Sequence, residues 1–279
     1  MVSPEFLAER PEWLDVLIQR AGRADAQPPF SDGSLVALAT GSRRVLAIGD
    51  VAAALVGEGE AEFVVDPDAR RHGHGTQLIE ALLAIDPAIR VWAHGDHPAA
   101  RRIAASHGLV PVRELLQLRV EDSRWLSSER GTSPRIETGV ETQPAGAADL
   151  DDWLELNSRA FASHPEQGAV TRADLDVLMA EPWFDSEDFL LLREDGELVG
   201  YCWLKVEHGI GEFYVVGVSP ERQGEGIGRR LVEAGLSRLA ARGIRTAHLY
   251  VEADNEPAVR LYRSFGFTDH AIDIQYARP

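Results

Sequence analysis

The stretch Val215-Val-Gly-Val-Ser-Pro-Glu-Arg-Gln-Gly-Glu-Gly-Ile-Gly-Arg-Arg-Leu-Val-Glu-Ala-Gly-Leu236 opens as an apolar run and closes as an amphipathic pattern. Between the two, Gln223-Gly-Glu-Gly-Ile-Gly228 sets three glycines within five residues. The first turn of a helix leaves N–H donors unpaired and carries partial positive charge. Glycine lets a bulky anion come close to those donors. The stretch therefore reads as strand, phosphate-binding turn, helix. Taken alone it does not choose a fold, because Rossmann folds and P-loops use the same logic.

A chain of 279 residues holds one large domain or two ordinary ones. Hydrophobic residues at 44% and charged residues at 26% place it among globular rather than disordered chains. No segment reaches the roughly 18 consecutive apolar residues of a membrane span. The opening Met1-Val-Ser-Pro-Glu-Phe-Leu-Ala-Glu-Arg10 lacks the apolar core of a secretory signal. Cys202 is the only cysteine, which excludes an intrachain disulfide and fits a reducing cytoplasm. A net charge of −17 argues against nucleic acid and anionic membranes as partners. Any polyanionic ligand must then find a local basic patch.

The glycine stretch has an earlier echo. Glu62-Phe-Val-Val-Asp-Pro-Asp-Ala-Arg-Arg-His-Gly-His-Gly-Thr76 runs into the apolar-periodic Gln77-Leu-Ile-Glu-Ala-Leu-Leu83, so Gly73 answers to Gly226, 153 positions later. A second pair follows: Val91-Trp-Ala-His-Gly-Asp-His-Pro-Ala-Ala-Arg-Arg-Ile-Ala-Ala-Ser-His-Gly-Leu109 parallels Leu249-Tyr-Val-Glu-Ala-Asp-Asn-Glu-Pro-Ala-Val-Arg-Leu-Tyr-Arg-Ser-Phe-Gly-Phe267, with Gly108 and Gly266 158 positions apart. Two motifs in one order and at nearly one spacing indicate two copies of one domain. The polar Ser127-Ser-Glu-Arg-Gly-Thr-Ser-Pro-Arg135 is the expected boundary, giving domains over 1–130 and 135–279.

Each half mixes strands and helices. Val45–Ile48, Ala52–Val56 and Ala61–Val65 read as strands, as do Phe189–Leu192, Leu198–Val206 and Gly211–Val218. Glu194-Asp-Gly-Glu197 reads as a hairpin turn, and Leu231–Ala241 as a helix ended by Gly243. The fold class is α/β with a mixed sheet.

A strand ending in Val-Gly-Val, a proline turn, Q/R-x-x-G-x-G/A and an amphipathic helix resemble the acetyl-CoA motif of the GNAT acetyltransferases. Asn255-Glu-Pro-Ala-Val-Arg260 and Leu261-Tyr-Arg-Ser-Phe-Gly-Phe267 resemble that superfamily's final elements. The tandem layout, with Asn157-Ser-Arg-Ala-Phe-Ala-Ser-His-Pro-Glu-Gln-Gly168 and Glu181-Pro-Trp-Phe-Asp185, is similar to the mycothiol synthase family. This resemblance implies two tandem GNAT domains. It implies transfer of acetyl from acetyl-CoA to the cysteinyl amine of cysteinyl-glucosaminyl-inositol, giving mycothiol and CoA.

It also implies roles. Val216, Gly217 and Val218 would face the pantetheine arm. Gln223, Gly224, Glu225, Gly226, Ile227, Gly228 and Arg229 would wrap the pyrophosphate, with charge from Arg222, Arg229 and Arg230. Asn255, Glu256, Pro257, Ala258, Val259 and Arg260 would complete the cofactor site. Glu212 would act as general base and also touch substrate, and Tyr262 would protonate the departing thiolate. Each has a plainer reading, Glu212 as a solvent-facing strand residue and Tyr262 as core. Glu166, Lys205, Tyr250 and, from the first half, Asp32 would contact the substrate. These too have plain alternatives: turn caps for Glu166 and Asp32, a solvated strand residue for Lys205, core for Tyr250.

In the first half Phe63, Val64, Val65, Arg70, Arg71, His72, Gly73, His74 and Gly75 keep a loop that could hold a pyrophosphate. At the two offsets, however, Glu212 falls opposite Gly59 and Tyr262 opposite Ala104, so the first domain is expected to be non-catalytic. His72, His74, His94, His97 and His107 match no zinc spacing, and no metal is expected. Cys202 lies mid-strand among apolar residues as a filler. A monomer is expected, since the pseudo-dimer is already covalent. Two other readings stay open: an acetyltransferase for another amine, such as an aminoglycoside or a protein N-terminus, and a non-catalytic acetyl-CoA-binding module.

Overall fold

The computed structural model describes residues 3–57, 59–121, 140–141, 147–162 and 167–279. The expected boundary at 127–135 lies outside the described residues. In chain order the elements are β1 (Glu5–Phe6), α1 (Trp13–Asp25), α2 (Asp32–Ala39), β2 (Arg44–Ile48), β3 (Ala52–Gly57), β4 (Glu60–Val65), α3 (His74–Ile85), β5 (Arg90–Ala93), α4 (Pro98–Ser106) and β6 (Val110–Glu121), then β7 (Val140–Glu141), α5 (Ala147–Ala160), α6 (Arg172–Met179), β8 (Phe189–Glu194), β9 (Glu197–Glu207), β10 (Ile210–Val218), α7 (Ile227–Ala241), β11 (Thr246–Glu252), α8 (Glu256–Ser264) and β12 (Thr268–Ala277). The run from β2 to β6 recurs, element for element, from β8 to β12.

The six strands read from sequence lie within a residue or two of those observed. The helix starts four residues earlier than its apolar spacing indicates, at Ile227, because its first turn is built from the glycine loop. Asp195 (φ 51°) and Gly196 (φ 85°) both take the left-handed conformation that a type I′ hairpin requires.

The chain divides into two compact units that interleave in sequence, which a single cut does not describe. One comprises Met1–Leu116, Glu252–Asp254 and Ala271–Pro279, the other Gln117–Val251 and Asn255–His270. In the first, β1 to β4 form an antiparallel meander, β5 adds in parallel to β4, and β12 pairs antiparallel with β5, Gln275 opposite Trp92. The last strand of the chain thus completes the first unit's sheet. In the second unit β7 to β10 are antiparallel and β11 is parallel to β10. In both, the parallel pair is joined by a crossover helix, α3 or α7, as parallel strands require.

The first unit buries two apolar layers. Leu46, Ile48, Leu78, Ile79 and Leu82 form one with α3, and Leu14, Leu17, Phe30, Leu55 and Val64 form the other with α1. The second unit packs an aromatic cluster: Phe189 stacks on Trp203 at 4.5 Å, and Trp153 meets Trp203 edge-on at 6.0 Å. Tyr201 donates to Asn157 Oδ1 at 2.6 Å within it.

A charged cluster around Glu62 lies in the first unit's interior. The Glu62 carboxylate on β4 accepts from Ser31 N–H (2.8 Å), Ser31 Oγ (2.8 Å) and Ser34 Oγ (2.6 Å). His94 bridges it to β12, with Nε2 at 3.3 Å from Glu62 and Nδ1 at 3.0 Å from Asp273. Burial alone would lower the imidazole, but the flanking Asp273 and Glu62 carboxylates outweigh it and push His94 up to about 9. Burial works against the Glu62 carboxylate too, yet His94, Ser34 and Ser31 hold it down at about 2.

The His94 contribution is therefore complete below its ordinary value of 6.5 and lost as pH rises through about 9. That of Glu62 is present above 4.5 and lost as pH falls toward about 2. We predict that thermal stability falls between pH 6.5 and 9.5 by an amount on the order of 3 kcal/mol. Melting curves of wild type and Asp273→Asn across that range check it: the variant should start lower and fall less steeply.

Candidate active site

The second unit places its functional groups around the place where β10 leaves β11. The two strands pair in parallel from Ile210 opposite Thr246 to Phe213 opposite Leu249, with no pairing recorded beyond. On its other side β10 stays paired with β9 as far as Val218, but the register slips between Phe213 and Val215, so Tyr214 is a bulge residue. Val216, Gly217 and Val218 are left with one edge toward the gap. An extended ligand can pair with such an edge. A Cβ on Gly217 would lie 2.4 Å from the Tyr201 ring, so only glycine fits there.

The strand runs directly into the glycine loop. Ser219 N–H ties back to Val199 O at 2.9 Å, Pro220–Arg222 form a single 3-10 turn, and α7 starts after Gly226. Gly224 (φ 86°) and Gly226 (φ 83°) take left-handed backbone, and a Cβ on either would meet nothing within 4 Å, so conformation rather than space demands glycine. Gly228 serves packing, with Leu261 of α8 3.2 Å from where its Cβ would be. The first-turn amides of α7, at Ile227, Gly228 and Arg229, have no intrahelical partner and can receive an anion.

The arginines expected to add charge here are engaged elsewhere. Arg222 and Arg230 both bind Glu194, and Arg222 also holds Glu225 at 2.7 Å. Arg229 donates to Ser264 Oγ at 3.0 Å and lies 4.9 Å over the Phe265 ring. An anion at this loop is thus received first by backbone amides. Asn255 caps α8, its Oδ1 accepting from Ala258 N–H at 3.3 Å, with Pro257 in the first turn. Glu256 and Arg260 pair with each other at 2.8 Å on the exposed face of that turn, and Val259 follows in the same helix.

Glu212 stands on β10 just before the bulge, opposite Lys205 on β9 and His248 on β11. Its carboxylate is 3.5 Å from His248 Nε2, both side chains about one-fifth exposed. Lys205 Nζ lies 2.8 Å from Glu207 and 5.4 Å from the Trp183 ring centre. Gln117 Nε2 lies 3.2 Å from His248 Nδ1 and donates to the Tyr250 hydroxyl at 2.9 Å. Tyr250 is exposed, not core. Lys205, Glu212 and Tyr250 are thus brought to one polar row. His248 and Gln117, absent from the sequence reading, join it. The signal that could have found Gln117 is its repeat partner Gln275, 158 positions on.

Tyr262 is buried on α8, edge-on to Phe267 at 5.9 Å. Burial, with the nearby Cys202, raises its phenol well above the usual value, so the proton stays on at neutral pH. Cys202 is itself fully buried and its thiol strongly raised by that burial, which rules it out as a nucleophile. Asp32 is the first residue of α2 in the first unit, behind the Ser31 cap. Glu166 lies outside the described residues. Among the described residues no group of three or more His, Cys, Asp or Glu is placed to hold a metal ion.

The first unit repeats the loop. Arg71 takes φ 67° where Gly224 has 86°, Gly73 takes φ 88° ahead of α3, and Gly75 packs on Ile103 as Gly228 does on Leu261. His72 and His74 stand in the same turn, rings 6.4 Å apart. β5 pairs with β4 only as far as Glu62, leaving Phe63, Val64 and Val65 beyond it. Arg70 is already committed, donating to Val65 O at 3.2 Å and doubly to Asp25 at 2.7 Å.

The structure corrects the alignment of Glu212 with Gly59. The β3–β4 ladder has no bulge, running unbroken from Ala52 opposite Val65 to Gly57 opposite Glu60. Counted from the loop end, Gly57–Glu60 is the rung of Lys205–Glu212, and Arg90 opposite Glu60 matches His248. Tyr214 is the surplus residue that a fixed offset counts through. Glu60 is therefore the counterpart of Glu212.

Residues 150–267 match the model of the acetyltransferase (GNAT) family. The chain is 48% identical over 274 residues to the mycothiol acetyltransferase of Clavibacter michiganensis subsp. michiganensis, covering 93% of this chain and 88% of that one. It is 45% identical over 291 aligned residues to the mycothiol acetyltransferase of Kytococcus sedentarius, covering 99% and 97%. Among solved structures, a tandem GNAT protein from the clavulanic acid biosynthesis pathway superposes with a TM-score of 0.68 at 16% identity, over 99% of this chain and 97% of that one. That agreement is one of fold, and it carries both copies of the GNAT domain.

Two substitutions probe the loop. Gly217→Ala should cost about 2 kcal/mol or more, because the Tyr201 ring is locked in the core. Gly226→Ala should cost about 1–2 kcal/mol through its left-handed backbone. Urea unfolding of both variants beside Gly209→Ala, a left-handed hairpin glycine away from the loop (φ 78°), measures the difference.

Proposed function

Because the chain belongs to the mycothiol acetyltransferase family, within the wider GNAT acetyltransferases, we propose that it transfers acetyl from acetyl-CoA to the cysteinyl amine of cysteinyl-glucosaminyl-inositol, releasing mycothiol and CoA. The observation that carries this reading is the end-to-end likeness to relatives of that name. The site supports it with a proton acceptor, a proton donor and a phosphate-binding loop in one unit.

The chemistry follows from the groups present. The open edge of Val216–Val218 would pair with the amides of the pantetheine arm, and the first-turn amides of α7 would take the pyrophosphate. An α-amino group titrates near about 8, so near neutrality a modest base suffices to strip its proton. Glu212 accepts that proton, directly or through water. The amine nitrogen bonds to the thioester carbon, the carbon–sulfur bond breaks, the electron pair leaves on sulfur, and the second proton lost by the nitrogen passes through water to the thiolate. A thiol titrates near about 8.5, well below the raised Tyr262 phenol. Tyr262 therefore serves the sulfur as a hydrogen-bond donor while charge builds, rather than by an early complete transfer. Lys205, opposite Glu212, and Tyr250, further along β11, would meet the polar acceptor, as would Glu166. The first unit would be non-catalytic, since Glu60 is held by arginines and Ala104 stands at the repeat position of Tyr262.

Release of CoA thiol with acetyl-CoA and cysteinyl-glucosaminyl-inositol, run beside cysteine, glucosamine and an aminoglycoside, tests the proposal. Strong preference for the pseudo-disaccharide is expected, and turnover with the aminoglycoside alone would overturn the acceptor. Glu212→Gln should lower kcat by roughly 10²–10⁴ while leaving the affinity for acetyl-CoA unchanged.

A further inference from the structure

The two copies of the Glu212 rung differ in the groups that meet the carboxylate. In the first unit Glu60 is pinned: Arg90 Nη2 lies 3.2 Å and Gln275 Nε2 2.8 Å from Oε1, and Arg43 Nη2 lies 3.7 Å from Oε2. Both arginines are permanently charged, and the Glu60 side chain is only 11% exposed. In the second unit His248 replaces Arg90, Lys205 replaces Gly57 and Gln117 replaces Gln275. The carboxylate there faces one ring nitrogen at 3.5 Å, and the lysine opposite is drawn to Glu207 at 2.8 Å.

Gln117 touches the other nitrogen of that ring. It is nearly buried, and its side-chain amide lies between His248 Nδ1 and the Tyr250 hydroxyl. With its N–H₂ toward the ring, Nδ1 accepts and the proton of a neutral imidazole sits on Nε2. Were the ring protonated, the amide could turn over and present its oxygen to Nδ1–H. In both of these arrangements an N–H faces Glu212, whereas a neutral ring with the amide turned over would present none. The arrangement sets one ring nitrogen toward the carboxylate, while the lysine on the opposite strand is drawn to Glu207.

We infer that His248, oriented by Gln117, is a positioning residue for Glu212, and that histidine rather than arginine at this rung keeps the carboxylate able to accept a proton. The inference rests on the reading of Glu212 as the base. The charged or titratable groups facing Glu212 from the flanking strands are Lys205 of β9, with Glu207 behind it, and His248 of β11, with Gln117 behind it.

The test uses the full chain and the CoA-release assay across pH. His248→Arg should lower kcat about tenfold or more, leave the KM for acetyl-CoA within about twofold, and move the acid limb of the kcat profile to lower pH. His248→Gln, which can still offer an N–H, should retain most of kcat, whereas His248→Leu should lose about tenfold. An arginine variant with wild-type kcat and pH profile would overturn the inference, as would glutamine and leucine variants equally impaired. Those last two also serve should the arginine variant fail to fold. Glu212→Gln runs alongside: if it keeps full turnover, the base reading fails first, whereas an inert Glu212→Gln beside an unaffected His248→Arg defeats only the role of His248.

Discussion

Tyr214 is one residue more than the ladder between β9 and β10 can pair, and the site is arranged around that surplus. Up to Phe213, β10 is an interior strand with partners on both sides. Beyond it, the strand keeps β9 but leaves β11, so its final residues offer a free edge that leads into the glycine loop. A bulge bends and twists its strand locally. Here it separates two geometries: before it, side chains on paired strands hold Glu212 between Lys205 and His248; after it, the strand keeps one backbone edge open, the edge proposed to meet the pantetheine arm.

Charge is handled with equal economy. A chain at −17 whose proposed co-substrate is a polyanion would be expected to gather free cations at the loop. It does not: Glu194 holds two of the three loop arginines, and Arg229 is turned toward α8. What remains is the dipole and the unpaired amides of the first turn of α7, which need no free side-chain charge. The paired arginines fix the loop more than they attract the ligand. Glycine at 224 and 226 then acts through backbone conformation alone.

The first unit shows what the same scaffold becomes when its residues are committed. Its loop keeps the shape of the second even where Arg71 must adopt a left-handed backbone that glycine takes freely. Arg70 satisfies the Val65 carbonyl, and Arg90 and Arg43 occupy Glu60. The Glu62–His94–Asp273 group binds β12 to β4 through a histidine between two carboxylates. The C-terminal strand is a structural part of a unit that begins more than 250 residues earlier, so the repeats cannot be separated by one cut between them.

How much of this was legible in the chain depends on whether the signal was local. The repeat, the strand–glycine–helix turn, the hairpin at Asp195-Gly196 and the helix stop at Gly243 were all readable, because each is set by neighbours along the backbone: periodicity, glycine and the φ it allows. Glu212 and Tyr262 were found through resemblance to a family motif, and the structure sets one beside His248 and the other in the core. His248, Gln117 and the match of Glu60 to Glu212 were not readable. A fixed offset counts residues, whereas a bulge counts rungs; Lys205 and His248 face Glu212, and Gln117 of β6 meets His248, only once the strands pair. The sequence by itself determined two copies of one strand–turn–helix unit and where each glycine turn falls, while the acetyltransferase fold came through resemblance. Tertiary structure alone decided which copy keeps its carboxylate available, because hydrogen bonds and ion pairs across strands, unlike turns, are set by residues far apart in the chain.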